Sequence, residues 1–76
     1  MIFTDGIHVI SDDGPFELAI WAEENGIGKH FFHRGKWPHY DIPKKRRNEK
    51  FNAVYVDHPR KLIAICKEML GGCDAD

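Results

Sequence analysis

Met1-Ile2-Phe3-Thr4-Asp5-Gly6-Ile7-His8-Val9-Ile10 opens the chain with two apolar, β-prone runs around the turn signal Asp5-Gly6. Two readings fit. The stretch is a tight hairpin, or it is a strand, a turn and a short extended link. The second is adopted because the chain enters a helix directly afterwards. Gly14 is a suitable N-cap and Pro15 a suitable first helical residue, where a missing N–H is harmless. Glu17 then sits in the first turn, where its charge suits the positive helix end. Leu18, Trp21, Ala22 and Asn25 share one face, and Gly26 supplies a left-handed stop. Phe16 and Ile20 point the other way. That second apolar face suits contact with another copy of the chain, so a homo-oligomer through Phe16 and Ile20 is expected.

Beyond this helix, Ile27 to His33 reads as a strand, and Arg34-Gly35-Lys36 turns out of it. Pro43 opens a helix over roughly Lys44 to Phe51. Ala53 to Val56 is a third strand. Asp57-His58-Pro59 starts a last helix with the buried stripe Leu62, Ile65, Cys66 and Met69, ended by Gly71-Gly72. Strands alternating with helices predict a small α/β domain of two or three layers. Its sheet is expected to be mostly parallel, with three to four strands. The whole chain, 1–76, reads as one domain with a frayed tail at 72–76.

The 76 residues are 42% hydrophobic and 30% charged, with a formal net charge of −1. A chain of this length buries a modest core and is expected to be stable by only about a few kcal/mol. No apolar run approaches the ~20 residues of a membrane span. The start lacks the basic and apolar regions of a signal peptide, so a cytoplasmic location is expected. Cys66 and Cys73 read as free thiols. The small net charge hides a separation. Residues 1–28 carry six acids and no Lys or Arg, whereas 29–61 carry ten of the eleven Lys and Arg residues. A basic centre on a near-neutral chain suggests a localised anion site.

The centre of that region is Trp37-Pro38-His39-Tyr40-Asp41-Ile42-Pro43, followed by Lys44-Lys45-Arg46-Arg47. His39 and Asp41 lie two apart, so on extended backbone their side chains point the same way. A carboxylate beside an imidazole can orient it, or the pair can share a metal. Cations are unfavourable at the start of a helix, and a bound anion there would offset them. Trp37 either stacks on a ring or lids the core.

Several of these residues resemble a known family. Asp5 after a short strand, His8-Val9-Ile10-Ser11-Asp12, Glu17-Leu18 on a helix, His39-Tyr40-Asp41-Ile42 and Lys45-Arg46 are similar to a family of small bacterial and phage domains, domain-of-unknown-function family 4031. The resemblance covers roughly residues 1–56. It departs at Lys44, where members often carry a serine, and at Phe16 and Ile20, where members carry polar or small residues. The resemblance marks Lys45 and Arg46 within the basic run, and it implies a shared site without naming its chemistry.

The leading expectation is a binding module for a phosphate-bearing small molecule, a nucleotide derivative. Lys45 and Arg46 would contact phosphate, His39 and Asp41 would set hydrogen bonds, and Trp37 or Tyr40 would stack on the ring. Asp5 and His8 would form further walls. By analogy with phage members, the purpose would be sequestration of a host nucleotide signal. The alternative is an enzyme, a metal-dependent phosphoesterase holding Mg²⁺ or Mn²⁺ through Asp5, Asp41 and Asp57. A zinc site of His30, His33 and His39 is disfavoured, since His-x-x-His on a strand puts the two rings on opposite faces. A nucleic-acid contact through residues 44–50 is the third reading and predicts steep salt dependence. No Walker loop or Gly-x-Gly-x-x-Gly is present, and no cofactor is expected.

Overall fold

The structure is a computed structural model that describes residues 1–34 and 37–69, without the side chain of Met69. The turn at Gly35-Lys36, the Gly71-Gly72 stop, Cys73 and the tail lie outside the described residues. The elements in order are β1 (Ile2–Thr4), β2 (His8–Ser11), α1 (Pro15–Glu24), β3 (Phe32–His33), β4 (His39–Asp41), β5 (Val54–Tyr55) and α2 (Pro59–Met69). Single 3₁₀ turns at Lys29–Phe31 and Lys44–Arg46 precede β3 and follow β4.

The strands form one five-stranded sheet in the order β3-β4-β2-β1-β5. It is mixed and mostly antiparallel, and β1 with β5 is its parallel pair. This overturns the mostly parallel sheet of three to four strands, and the cause is the first ten residues. They close as a hairpin, with Thr4 opposite Val9 and Phe3 opposite Ile10. The three-residue connection is held by its own side chains. Asp5 Oδ1 accepts from the N–H of Ile7 at 2.9 Å and of His8 at 2.7 Å. Thr4 Oγ1 donates to the His8 carbonyl at 2.7 Å and accepts from the Gly6 N–H at 3.0 Å. Gly6 takes φ +98°, a conformation that favours glycine.

Side-chain alternation gives the sheet two distinct faces. Ile2, Thr4, Val9 and Tyr40 point to one face, where Leu18, Trp21 and Ala22 of α1 pack and complete a core with Ile27, Ile42 and Phe51. Phe3, Ile10, His8, His39 and Asp41 point to the other. There Leu62 and Cys66 of α2 cover Ile10, with Phe3, Trp37 and Val56 beside them. The result is three layers, α1, sheet and α2.

Both helices start as the sequence predicts. Gly14 caps α1 with Pro15 at its first position, and Gly26 turns the chain out at φ +71°. The long strand expected over 27–33 is reduced to Phe32–His33, because Lys29–Phe31 winds into a turn. The helix expected over 44–51 stops after one turn. Its three residues are cations with no acid among them, which opposes the helix dipole.

A histidine and carboxylate cluster as the candidate functional site

β4 lies between β3 and β2, and Tyr40 at its centre is paired on both sides. His33 pairs with His39, and His8 pairs with Asp41. All four side chains project from the α2 face of the sheet. Helix α2 packs on the β2 side of that face, which leaves the β4–β3 side for the imidazoles. Asp41 is thereby bordered by three histidines: His8 on the next strand, His39 two residues back, and His33 diagonally across.

Atomic contacts follow from this register. His33 Nε2 lies 2.9 Å from Asp41 Oδ2. The His33 and His39 rings stack at 5.1 Å with 19° between planes. His8 meets His39 edge-on at 5.5 Å. His8 Nδ1 lies 3.0 Å from Asp5 Oδ2, and the Asp5 side chain is nearly enclosed. Burial pushes the Asp5 carboxyl up. The bond from the His8 ring and those from the His8 and Ile7 backbone N–H groups outweigh it, and hold Asp5 below the usual carboxylate range.

Asp41 Oδ1 is the odd atom of the cluster. It is buried and accepts no hydrogen bond. His39 Nε2 stands 3.4 Å away, inside ion-pair range but not in hydrogen-bond geometry. The other ring nitrogen of His39 is committed: Nδ1 lies 2.7 Å from the carbonyl oxygen of Trp37. A carbonyl only accepts, so Nδ1 carries the proton.

Beside the cluster, between the sheet and α2, is a cleft of about 170 Å³. Ile10, Trp37, Leu62 and Ile63 form apolar walls, and His8 and His39 form the polar part of the lining.

Of the residues singled out from sequence, Asp5, His8, His39 and Asp41 join this cluster, and Trp37 lines the adjoining cleft. Tyr40 points to the opposite face, buried against Phe32 at 5.1 Å between rings. Arg46 is engaged elsewhere. It donates to Glu49 at 3.0 and 3.1 Å and to the carbonyls of Asn25 at 2.8 Å and Gly26 at 3.4 Å. Glu49 holds its pKa above the usual arginine value. Lys45 is exposed. Arg47 Nε donates to the Ile42 carbonyl.

The carboxylates Asp5, Asp41 and Asp57 do lie toward one sheet edge, because β1, β4 and β5 run the same way. They are not brought together. β5 is three strands from β4, about 14 Å at a spacing of ~4.8 Å. Asp57 is exposed and ion-paired with Lys61 at 2.7 Å. Among the described residues, the groups compact enough for a metal are His33 with His39 and Asp41, and the acids Asp12, Asp13 and Glu17. The acids surround the Met1 amino group.

His33 belongs to the site, although the sequence places it only in the disfavoured set of His30, His33 and His39. The signal that set it aside was His30-x-x-His33 read as one strand. His30 instead sits in the 3₁₀ turn, its ring 4.2 Å from that of Phe31, which frees His33 to pair with His39.

Fold and site together define a small three-layer α/β domain with a histidine–carboxylate cluster on the partly covered face of its sheet. The chain belongs to the family described as Protein of unknown function (DUF4031), whose profile matches residues 5–68. That span includes α2 up to Glu68, beyond the stretch that carried the resemblance. No curated protein and no solved structure matches the chain.

Proposed function

We propose that this protein binds a phosphate-bearing small molecule, a nucleotide derivative, at the cleft between the sheet and α2. The observation that carries this reading is His39, which lines the cleft and also faces Asp41 in the cluster. At about 170 Å³ the cleft is smaller than the ~300 Å³ at which pockets begin to enclose drug-sized ligands. It suits one flat ring against Trp37, Ile10 and Leu62, with the rest of the ligand lying across the rim. With Nδ1 of His8 on Asp5 and Nδ1 of His39 on Trp37, the doubly protonated rings offer Nε2–H to a phosphate. Arg46 is occupied by Glu49 and two carbonyls, so phosphate recognition rests on the imidazoles.

The test is retention. Purified protein is incubated with a nucleotide mixture, desalted and denatured, and the released material is identified by mass spectrometry. Recovery of an intact nucleotide by the wild type, and its loss in His39→Ala, is the expected result. No retained nucleotide, or retention unchanged by His39→Ala, overturns the reading. Recovery of cleaved product in place of intact ligand would favour a phosphoesterase instead. Exposed Phe16 and Ile20 support the further proposal that two copies associate through the outer face of α1.

A further inference from the structure

We propose that His33, His39 and Asp41 form a binding site for a divalent first-row transition ion. This goes beyond the nucleotide reading and does not rest on it.

The argument begins with Asp41 Oδ1, a buried carboxylate oxygen with no donor. A buried acceptor left without a partner is destabilising, and more so when charged. His39 Nε2 stands 3.4 Å from Oδ1. Because Nδ1–H is fixed on the Trp37 carbonyl, the neutral imidazole presents a lone pair at Nε2. Two lone pairs then face each other, and a positive centre between them resolves the conflict.

The spacing fits an ion. With metal–nitrogen and metal–oxygen bonds of about 2.0–2.2 Å, two ligand atoms of a tetrahedral site stand about 3.3–3.6 Å apart. The third ligand is supplied by His33, and the candidate atoms of all three residues lie within 4.8 Å of one another. The Nδ1–H bond to a backbone carbonyl is the support that ligating histidines ordinarily have, fixing both tautomer and ring orientation. Register explains the convergence. His33 and His39 are directly opposed, and Asp41 follows two residues on, on the same face.

Donor chemistry selects the class of ion. Two imidazoles and one carboxylate suit zinc, iron, cobalt or nickel, whereas Mg²⁺ and Ca²⁺ take oxygen donors. Three protein ligands leave coordination positions free. His39 also lines the cleft, so a molecule held there stands beside the ion.

The experiment uses the full, untagged chain stripped with a chelator, with zinc as the probe and no nucleotide present. Failure here therefore says nothing about nucleotide retention, and the converse holds. Calorimetric titration should give one zinc per chain. Affinity should fall at least about 10-fold in His33→Ala, His39→Ala and Asp41→Ala. It should be unchanged in His30→Ala and in Asp12→Asn, which removes a carboxylate from the second acidic group. The His33 side chain is about half exposed, at 52%, so His33→Ala keeps the fold and remains informative if the other variants unfold. A measurement without variants adds to this: paramagnetic Co²⁺, an ion of the selected class, should shift and broaden the ring proton signals of His33 and His39 before those of exposed His58. Zinc binding that survives His33→Ala, that is lost in Asp12→Asn, or that never saturates at one per chain overturns the proposal. So does broadening centred elsewhere.

Discussion

Arg46 Nη1 donates to the carbonyl oxygen of Asn25 at 2.8 Å, and this bond ties the turn after β4 to the end of α1. The same guanidinium engages Glu49 through Nε and Nη2, and lies 5.4 Å from the centre of the Phe51 ring. The orphan carbonyls at a helix C-terminus need donors, and here a side chain from a distant segment supplies them. Arg46 thus acts as a staple.

Arg46→Ala should accordingly lower the thermal midpoint while leaving nucleotide retention by the folded protein intact. Arg46→Lys should rescue little, since an ammonium cannot make the forked contact with Glu49 and still reach Asn25. Lys45→Ala, on an exposed neighbour, should leave the midpoint unchanged. Thermal denaturation of the three variants, with ligand retention measured at a temperature where all are folded, checks this.

Asp5 should govern part of the acid sensitivity. Its pKa is lowered from 3.8 by the bonds it accepts from His8 and Ile7, in spite of burial. A carboxylate with a depressed folded-state pKa adds stability that is fully present above its unfolded value. That stability is lost as pH falls through the lower folded value. Asp5→Ala should cost about 2 kcal/mol at pH 7, the scale for hydrogen bonds to a charged group. The gap between wild type and variant should narrow progressively below about pH 4. Urea midpoints measured between pH 3 and 7 would show it, and a gap independent of pH would contradict it.

Local signals made the two helices legible. Gly14-Pro15, Glu17 and Gly26 mark the ends of α1, and the spacing of Leu18, Trp21 and Ala22 marks its buried face. Pro59 with Leu62 and Cys66 does the same for α2. Strand direction was not legible, because alternation has the same period in parallel and antiparallel strands. Only the turn chemistry of Thr4, Asp5 and Gly6 distinguishes them, and the turn signal Asp5-Gly6 fits both a hairpin and a strand with an extended link. The site was half legible. His39 and Asp41 share a face by simple period-two spacing. His33 joins them through cross-strand register, a relation between distant segments that residue spacing does not encode.

Leu62 should be the weak point of the α2 layer. It is buried at 4% exposure and packs on Ile10, together with Cys66. Leu62→Ala should remove about 2–5 kcal/mol, a large fraction of the stability of so short a chain. The loss should appear first as faster amide exchange across Pro59–Met69, ahead of exchange in β2. Leu18→Ala, within the larger core against α1, should instead accelerate exchange throughout. Hydrogen exchange read by mass spectrometry on overlapping peptides separates the two patterns.

Cys66 reports on the same layer chemically. It is a free thiol at 1% exposure, and burial pushes its pKa up, so the reactive thiolate is scarce in the native state. Alkylation of Cys66 under native conditions should therefore proceed only through opening of α2. Its rate should rise steeply with urea, well below the global midpoint, and rise further in Leu62→Ala. Peptide mapping after a timed pulse of iodoacetamide assigns the label to Cys66.

The outer face of α1 gives the last test. Phe16 is 79% exposed and Ile20 45%, on a helix whose opposite side is fully committed to the core. Large apolar side chains grouped this way on a small surface favour self-association. Sedimentation velocity across a range of concentrations should show a wild-type equilibrium that Phe16→Lys shifts to monomer. Because Phe16 contributes nothing to the buried core, the variant should keep the wild-type melting profile when both are compared as monomers at high dilution. Zinc stoichiometry per chain should also be unchanged, since His33, His39 and Asp41 lie on the opposite face of the sheet from α1. A wild type that stays monomeric at every concentration would leave the Phe16 face without this role.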